Sequence, residues 1–253
     1  MIEIKGLKKQ FGPKEVLKGI DLHIPKGKTT VILGLSGGGK STIIKHIVGL
    51  LKPDSGEIWV DGEEISQANE EQIRKIRKKV GFLFQSGALF DSMNIFENIA
   101  FPLREHTNMS EDEIMSRVVE RLEMVGLKPS EVLNLYPDEL SGGMRKRVGL
   151  ARTIALNPEI ILYDEPTSGL DPITSDLISQ MIVQLKERLS VTSVLISHDI
   201  KESFKAGDYF AMLYDGKIIE TGDAEHFKST DNPYVRQFLD GKSEGPIHFQ
   251  EKK

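Results

Sequence analysis

The chain has 253 residues, 39% hydrophobic and 28% charged, a balance that fits an ordinary globular protein with a substantial buried core. Its formal net charge of −5 argues against a nucleic-acid binder, and the absence of cysteine excludes disulfide frameworks and thiolate metal sites. No stretch approaches the roughly 18 apolar residues of a membrane helix and the N-terminus lacks a signal-peptide core, so a soluble, cytoplasmic chain is expected.

Ile2–Gly6, Asp21–Ile24 and Gly56–Val60 read as strands, the last following the turn Pro53-Asp54-Ser55-Gly56, and together they predict an antiparallel layer. Four further runs, Thr30–Leu33, Val80–Phe84, Ile160–Tyr163 and Val191–Ile196, are apolar almost throughout, the pattern of strands buried on both faces of a parallel sheet. Each stops at residues suited to phosphate chemistry: Gly34, Gln85, Asp164-Glu165 and Ser197-His198-Asp199. Ligands of open α/β sheets bind beyond the carboxyl ends of the strands, so the four endings should converge on one site.

Between about 87 and 158 strand signals fade, which predicts an inserted helical subdomain. Ser110 with Glu113 forms a capping-box pattern, Ile114, Val118, Leu122 and Val125 follow on one face, and Gly126 closes the helix. A second helix is expected from about Met144 to Leu156. Late in the chain, Tyr209–Tyr214 and Lys217–Thr221 flank Asp215-Gly216, a two-residue hairpin signal. The domain should cover residues 1–240, with 241–253 a polar, poorly ordered tail.

Gly34-Leu35-Ser36-Gly37-Gly38-Gly39-Lys40-Ser41 fits the phosphate-binding loop G-x-x-x-x-G-K-[ST], and it has the required strand before it and helix after it. Its glycines let backbone N–H groups close around a triphosphate, Lys40 brings a point charge, and the Ser41 hydroxyl suits Mg²⁺; Thr42 joins the same nucleotide-binding set. Asp164 would hold the metal ion and Glu165 would orient or deprotonate an attacking water. The bland reading of that pair, a strand ending in a capping acid, loses ground once a phosphate-binding loop precedes it. Leu140-Ser141-Gly142-Gly143-Met144 opens a helix as a second anion-binding nest, against a flexible cap as the plain alternative. Arg145, Lys146, Arg147 and Arg152 are expected on a solvated or subunit-facing surface. His198 sits beside the expected phosphates, and Trp59 is expected to pack in a strand. In Gly87–Arg104, Leu89 and Phe90 are expected as an exposed patch for a partner helix, while Ile95 and Phe96 divide evenly between patch and packing.

Taken together, the phosphate-binding loop, Gln85, Leu140-Ser141-Gly142-Gly143, Tyr163-Asp164-Glu165-Pro166, Ser168-Gly169-Leu170-Asp171 and His198 resemble the full motif set of ABC ATPases, in order and across nearly the whole chain. The resemblance implies the P-loop NTPase ABC ATPase fold, with a parallel core sheet, an antiparallel β layer and a helical subdomain. It implies that Phe11 stacks on adenine, Gln85 senses Mg²⁺ and the permease, Asp171 communicates across the dimer and His198 contacts the γ-phosphate. It also implies a head-to-tail homodimer in which Ser141, Gly142 and Gly143 complete the partner's ATP site. Met144 departs from the family's usual glutamine. Gly87–Met93, Phe101–His106 and Val235–Gly241 are more narrowly similar to the ATP-binding subunit of MCE-type transporters, which move phospholipids between bacterial inner and outer membranes. That likeness implies membrane permease subunits, a periplasmic MCE-type lipid-binding subunit, no nucleic-acid partner, and a place on the cytoplasmic face of the inner membrane.

Competing readings are a soluble ABC ATPase acting on DNA or ribosomes, a P-loop kinase, and a cassette that binds without turnover. The stretch between Lys40 and Ser141 is too short for the long coiled coil of repair members. A kinase would leave Leu140–Met144 without a role, and a non-hydrolysing cassette would lack Glu165.

Overall fold

The computed structural model describes residues 1–247; the end of the expected tail, 248–253, lies outside the described residues. Strands β1 (Ile2–Phe11) and β2 (Lys14–Ile24) form a hairpin, and β3 (Thr29–Gly34) carries the chain into the centre of a second sheet. Helix α1 (Lys40–Ile47) leads back to β4 (Ser55–Val60) and the short β5 (Glu63–Glu64), which complete an antiparallel sheet of order β2-β1-β4-β5. β1 and β2 run well past the segments expected from sequence. Their far ends, Lys8–Phe11 and Lys14–Glu15, are largely exposed and, apart from Phe11, polar, so no apolar run marks them.

After α2 (Glu70–Lys79) and β6 (Val80–Leu83), four helices precede the next strand: α3 (Ile95–His106), α4 (Glu111–Met124), α5 (Pro129–Val132) and α6 (Gly142–Thr153). Then come β7 (Ile160–Asp164), α7 (Pro172–Leu189), β8 (Thr192–Ile196), α8 (Ile200–Ala206), the hairpin of β9 (Tyr209–Tyr214) and β10 (Lys217–Asp223), and finally α9 (Ala224–Ser229) and α10 (Pro233–Asp240). The second sheet has the order β10-β9-β3-β8-β7-β6, parallel throughout from β9 to β6. The two hairpin residues, Asp215 and Gly216, both take positive φ, the backbone of a type I′ turn.

Alternate residues of the central strands enter two separate cores. Ile32, Ile160, Leu162, Val194 and Ile196 pack with α1 and the inner face of the antiparallel sheet, whereas Val31, Leu33, Ile161, Tyr163 and Leu195 pack with the helices opposite. Apolar side chains on both faces explain why these strands show no alternation. β6 departs from the expected double burial. It is the edge strand, so Phe82 and Phe84 remain partly exposed and lie against each other with centroids 4.1 Å apart.

Helix starts follow their caps. Ser110 and Glu113 form the capping box that opens α4, Gly126 turns the chain out with φ +65°, and Asn94 with Glu97 opens α3 in the same way. α6 ends at Thr153, short of Leu156, with Ile154 as its C-cap, and the chain then turns through Asn157 at φ +52°. The tail is better anchored than its polarity implied. Ile247 is buried, its amide donates to Gln237 Oε1 at 2.6 Å, and its carbonyl accepts from Gln237 Nε2 at 3.2 Å. Among the described residues no helix is long and apolar enough to cross a membrane.

Candidate nucleotide site

Gly34 ends β3 against β9, where a Cβ would stand 2.4 Å from the Leu213 carbonyl oxygen, so the loop leaves the sheet at a point only glycine fits. The chain then turns through exposed Ser36 and Gly37 and through Gly38, whose amide donates to the Leu35 carbonyl, and enters α1 from Gly39 in the left-handed region. No side chain caps α1, which leaves its first N–H groups free for an anion. Lys40 is buried and donates to the Gly34 and Leu35 carbonyls at 2.8 and 3.0 Å. Burial pushes the ammonium pKa down, while the charges of Glu165 and Asp164 oppose the shift.

The next strand end meets this loop directly. The Ser41 hydroxyl donates to Asp164 Oδ1 at 2.8 Å, and burial pushes the Asp164 carboxyl up while that hydrogen bond opposes it. Beyond Asp164, the Glu165 amide donates to the Ile196 carbonyl of β8 at 3.0 Å, and φ of +48° turns its side chain back over the strand ends. Gln85 Nε2 donates to Glu165 Oε2 at 3.1 Å and to Ser168 Oγ at 3.2 Å. His198 Nδ1 stands 3.5 Å from the same Glu165 oxygen. Phe11, 47% exposed, lines one cleft with Gly37, Gly39, Lys40, Ser41, Thr42 and Glu165.

The second nest lies elsewhere. Ser141 is exposed, its hydroxyl caps α6 by accepting from the Met144 amide at 3.2 Å, and no hydrogen bond ties it to the Lys40 loop among the described residues. Gly142 and Gly143 face Leu170 and Thr174, and a Cβ on Gly143 would stand 2.6 Å from Thr174 Cγ2. Asp171 caps α7, accepting from the Ile173 and Thr174 amides at 3.0 Å each.

The basic residues of α6 require a correction. Only Arg145 is exposed. Lys146 is buried and donates to the backbone carbonyls of Gln85 and Glu165, Arg147 reaches the Gly126 carbonyl, and Arg152 donates to those of Gly87 and Ala88. Long stems let these cations turn inward to backbone carbonyls at the loop turns. Leu89 is also corrected: it is partly buried against the helical core, and Phe90 beside it is exposed. Ile95 resolves to full burial, and Trp59 lies partly buried in β4.

A hydroxyl, a carboxylate and an amide side chain at Ser41, Asp164 and Gln85 make an oxygen donor set suited to Mg²⁺, a hard cation that commonly comes with phosphate oxygens. Among the described residues no group of three acidic, His or Cys side chains is placed to hold a metal ion.

The ABC transporter family matches residues 17–168. The intermembrane phospholipid transport system ATP-binding proteins MlaF of Haemophilus influenzae and Escherichia coli K12 are 43% and 42% identical, over 99% of this chain and 94% and 92% of theirs. A probable ribonucleotide transport ATP-binding protein, mkl of Mycobacterium leprae, is 44% identical over 100% of this chain and 72% of its own length. A dimeric ATP-binding cassette in a post-hydrolysis state, bound to ADP and phosphate, superposes with a TM-score of 0.81 at 35% identity, covering 88% of this chain and 98% of that one. With its phosphate-binding loop, paired strand-end carboxylates and second nest in the cassette fold, this chain belongs to the ABC transporter family and is an ABC ATPase.

Proposed function

We propose that this chain is the ATP-hydrolysing subunit of a transporter that moves phospholipids between bacterial inner and outer membranes. It works as a homodimer on permease subunits at the cytoplasmic face of the inner membrane, with a periplasmic MCE-type lipid-binding subunit in the same complex. The observation that carries the hydrolytic part is the cleft shared by Lys40, Ser41 and Glu165, with Asp164 bonded to Ser41 and with Gln85 and His198 beside the Glu165 carboxylate. The match along nearly their full length to intermembrane phospholipid transport proteins supports the cargo.

In this reading Lys40 exchanges its loop carbonyls for the β and γ phosphates of ATP, and the free N–H groups of α1 hold the phosphate oxygens. Mg²⁺, held by Ser41 and Asp164 with Gln85, would neutralise charge on those oxygens. Phe11 offers its ring to adenine. Glu165 accepts a proton from, or orients, the attacking water; Gln85 and His198 fix its carboxylate, and His198 is placed to reach the γ-phosphate. Ser141 is exposed and, among the described residues, has no hydrogen bond to the Lys40 loop, which suits completion of the partner's site together with Gly142 and Gly143. Phe90 and Phe101, edge to face at 5.2 Å and 42% and 39% exposed, border a groove with Phe84, Pro102 and His106 that would receive a permease helix.

The test is native purification from detergent-solubilised bacterial membranes, followed by phospholipid analysis and ATPase assay of the complex. Permease and MCE-type subunits with bound phospholipid are expected. The mycobacterial relatives favour one other reading, ribonucleotide transport, which would instead yield a complex whose ATPase responds to ribonucleotides and carries no lipid.

A further inference from the structure

We propose that Lys146 is a positioning residue for hydrolysis, fixing Gln85 and Glu165 relative to each other from helix α6. The inference rests on the reading of Gln85 and Glu165 as hydrolytic groups. Lys146 is 5% exposed, and its ammonium donates to the backbone carbonyl of Gln85 and, at 3.4 Å, to that of Glu165. One side chain therefore bridges the end of β6 to the end of β7, the two points from which Gln85 Nε2 and Glu165 Oε2 meet.

The residues it holds need holding. Glu165 stands at φ +48°, a left-handed conformation that is strained for a non-glycine residue. Its carbonyl, turned by that φ, accepts from Ser168 N at 3.1 Å and from Lys146. Two residues past Gln85 the chain strains again, with Gly87 at φ +79° and Ala88 at φ +49°, and there Arg152 donates to both carbonyls at 2.9 and 2.8 Å. Gly149, between the two cations on α6, lets the helix close on this loop: a Cβ there would lie 3.2 Å from the Gly87 Cα. α6 thus braces both strained segments. Ser141 is its N-cap, so the same helix reaches from the partner-facing nest to the water-positioning pair.

The experiment compares Lys146→Met, Lys146→Gln and Glu165→Gln in the purified full-length chain, with the double variant Lys146→Met/Glu165→Gln. Methionine keeps the length and fills the space without the donors, whereas glutamine keeps a donor. For Lys146→Met a fall in kcat of about 10–100-fold is expected, with nucleotide affinity changed less than about threefold. Lys146→Gln should recover most of that loss. In the Glu165→Gln background Lys146→Met should add less than about threefold, because the group it positions is already absent. Unchanged kcat in Lys146→Met would overturn the proposal. So would a loss that adds fully to that of Glu165→Gln and is matched by a fall in melting temperature that glutamine does not recover, since that marks a purely structural lysine. Normal turnover in Glu165→Gln alone would instead reject the reading on which the proposal rests.

Discussion

Two serines in glycine-rich segments, Ser41 and Ser141, stand at helix starts and meet opposite fates. The Ser41 hydroxyl is tied to Asp164 beside the buried Lys40, amid four strand ends of its own sheet. Among the described residues the Ser141 hydroxyl bonds only the Met144 amide of its own helix, and Ser141 is open to solvent. Both starts offer free N–H groups to an anion, but only the first has a lysine and carboxylates of the same chain around it. On the proposed reading one chain builds the chemical half of a site and presents the complementary half outward. A monomer can then bind nucleotide, whereas hydrolysis takes two.

The chemical half gives the largest effect. Glu165→Gln should cut steady-state phosphate release by about 10³-fold or more, while nucleotide titration still shows near-normal affinity. Near-normal turnover would remove Glu165 from its role. Ser141→Arg tests the outward half: hydrolysis should be lost, with monomer affinity for ATP changed less than about twofold, because among the described residues Ser141 has no hydrogen bond to the Lys40 loop of its own chain. Impaired nucleotide binding in that monomer would break the contrast between the two serines. A verified heterodimer of Ser141→Arg with Lys40→Ala places both lesions in one composite site and should keep the other intact.

How far the sequence was legible follows the same division. The ends of β3, β7 and β8 could be read because a strand buried on both faces is an unbroken apolar run, and its polar stop stands out. Glu165 and His198 were found that way. Lys146 and Arg152 were not, because a basic residue on a helix looks the same in sequence whether it meets water or a carbonyl 60 or more residues away. Strained Glu165 and Ala88 create those carbonyls, and neither residue type announces a positive φ. Leu89 failed for a related reason: an apolar pair in a loop splits between core and solvent according to the turn that carries it. The anchoring of Ile247 by Gln237 had no local signal, since a lone glutamine is ordinarily solvated.

A smaller effect sharpens the contrast at the loop that carries Phe90. Asn98 is fully buried, and its amide accepts from Phe90 N at 2.8 Å and donates to the carbonyls of Phe90, Met93 and Asn94 at 3.1, 2.9 and 3.0 Å. Leucine is close to isosteric and takes the side-chain partner from the Phe90 amide and the Met93 carbonyl, while the Phe90 and Asn94 carbonyls keep the Met93 and Asn98 amides, at a cost of about 1–3 kcal/mol in urea unfolding. Asn98→Leu should weaken capture of the permease more than it changes nucleotide affinity. Equal losses in both would show that the docking loop and the cleft are one unit.

The smallest effect lies at the other end of the strand that delivers the phosphate-binding loop. Asp208 Oδ2 accepts from the Thr29 amide at 2.7 Å and pairs with Lys186 at 2.8 Å, fixing the start of β3. Burial alone would raise this carboxyl, but the Lys186 hydrogen bond and the Thr29 amide outweigh it and hold the pKa below its ordinary value. A carboxylate depressed in the folded state stabilises the fold above its unfolded pKa of about 3.9, and that contribution is lost as pH falls through the folded value. In urea unfolding, the advantage of the native chain over Asp208→Asn should therefore be constant from about pH 7 to about pH 5 and shrink below about pH 4. Nucleotide affinity at neutral pH should not change, because the substitution lies at the end of β3 away from Gly34. An advantage that persists undiminished into acid would mean that Asp208 acts through packing rather than charge, and altered nucleotide affinity would mean that the two ends of β3 are not independent.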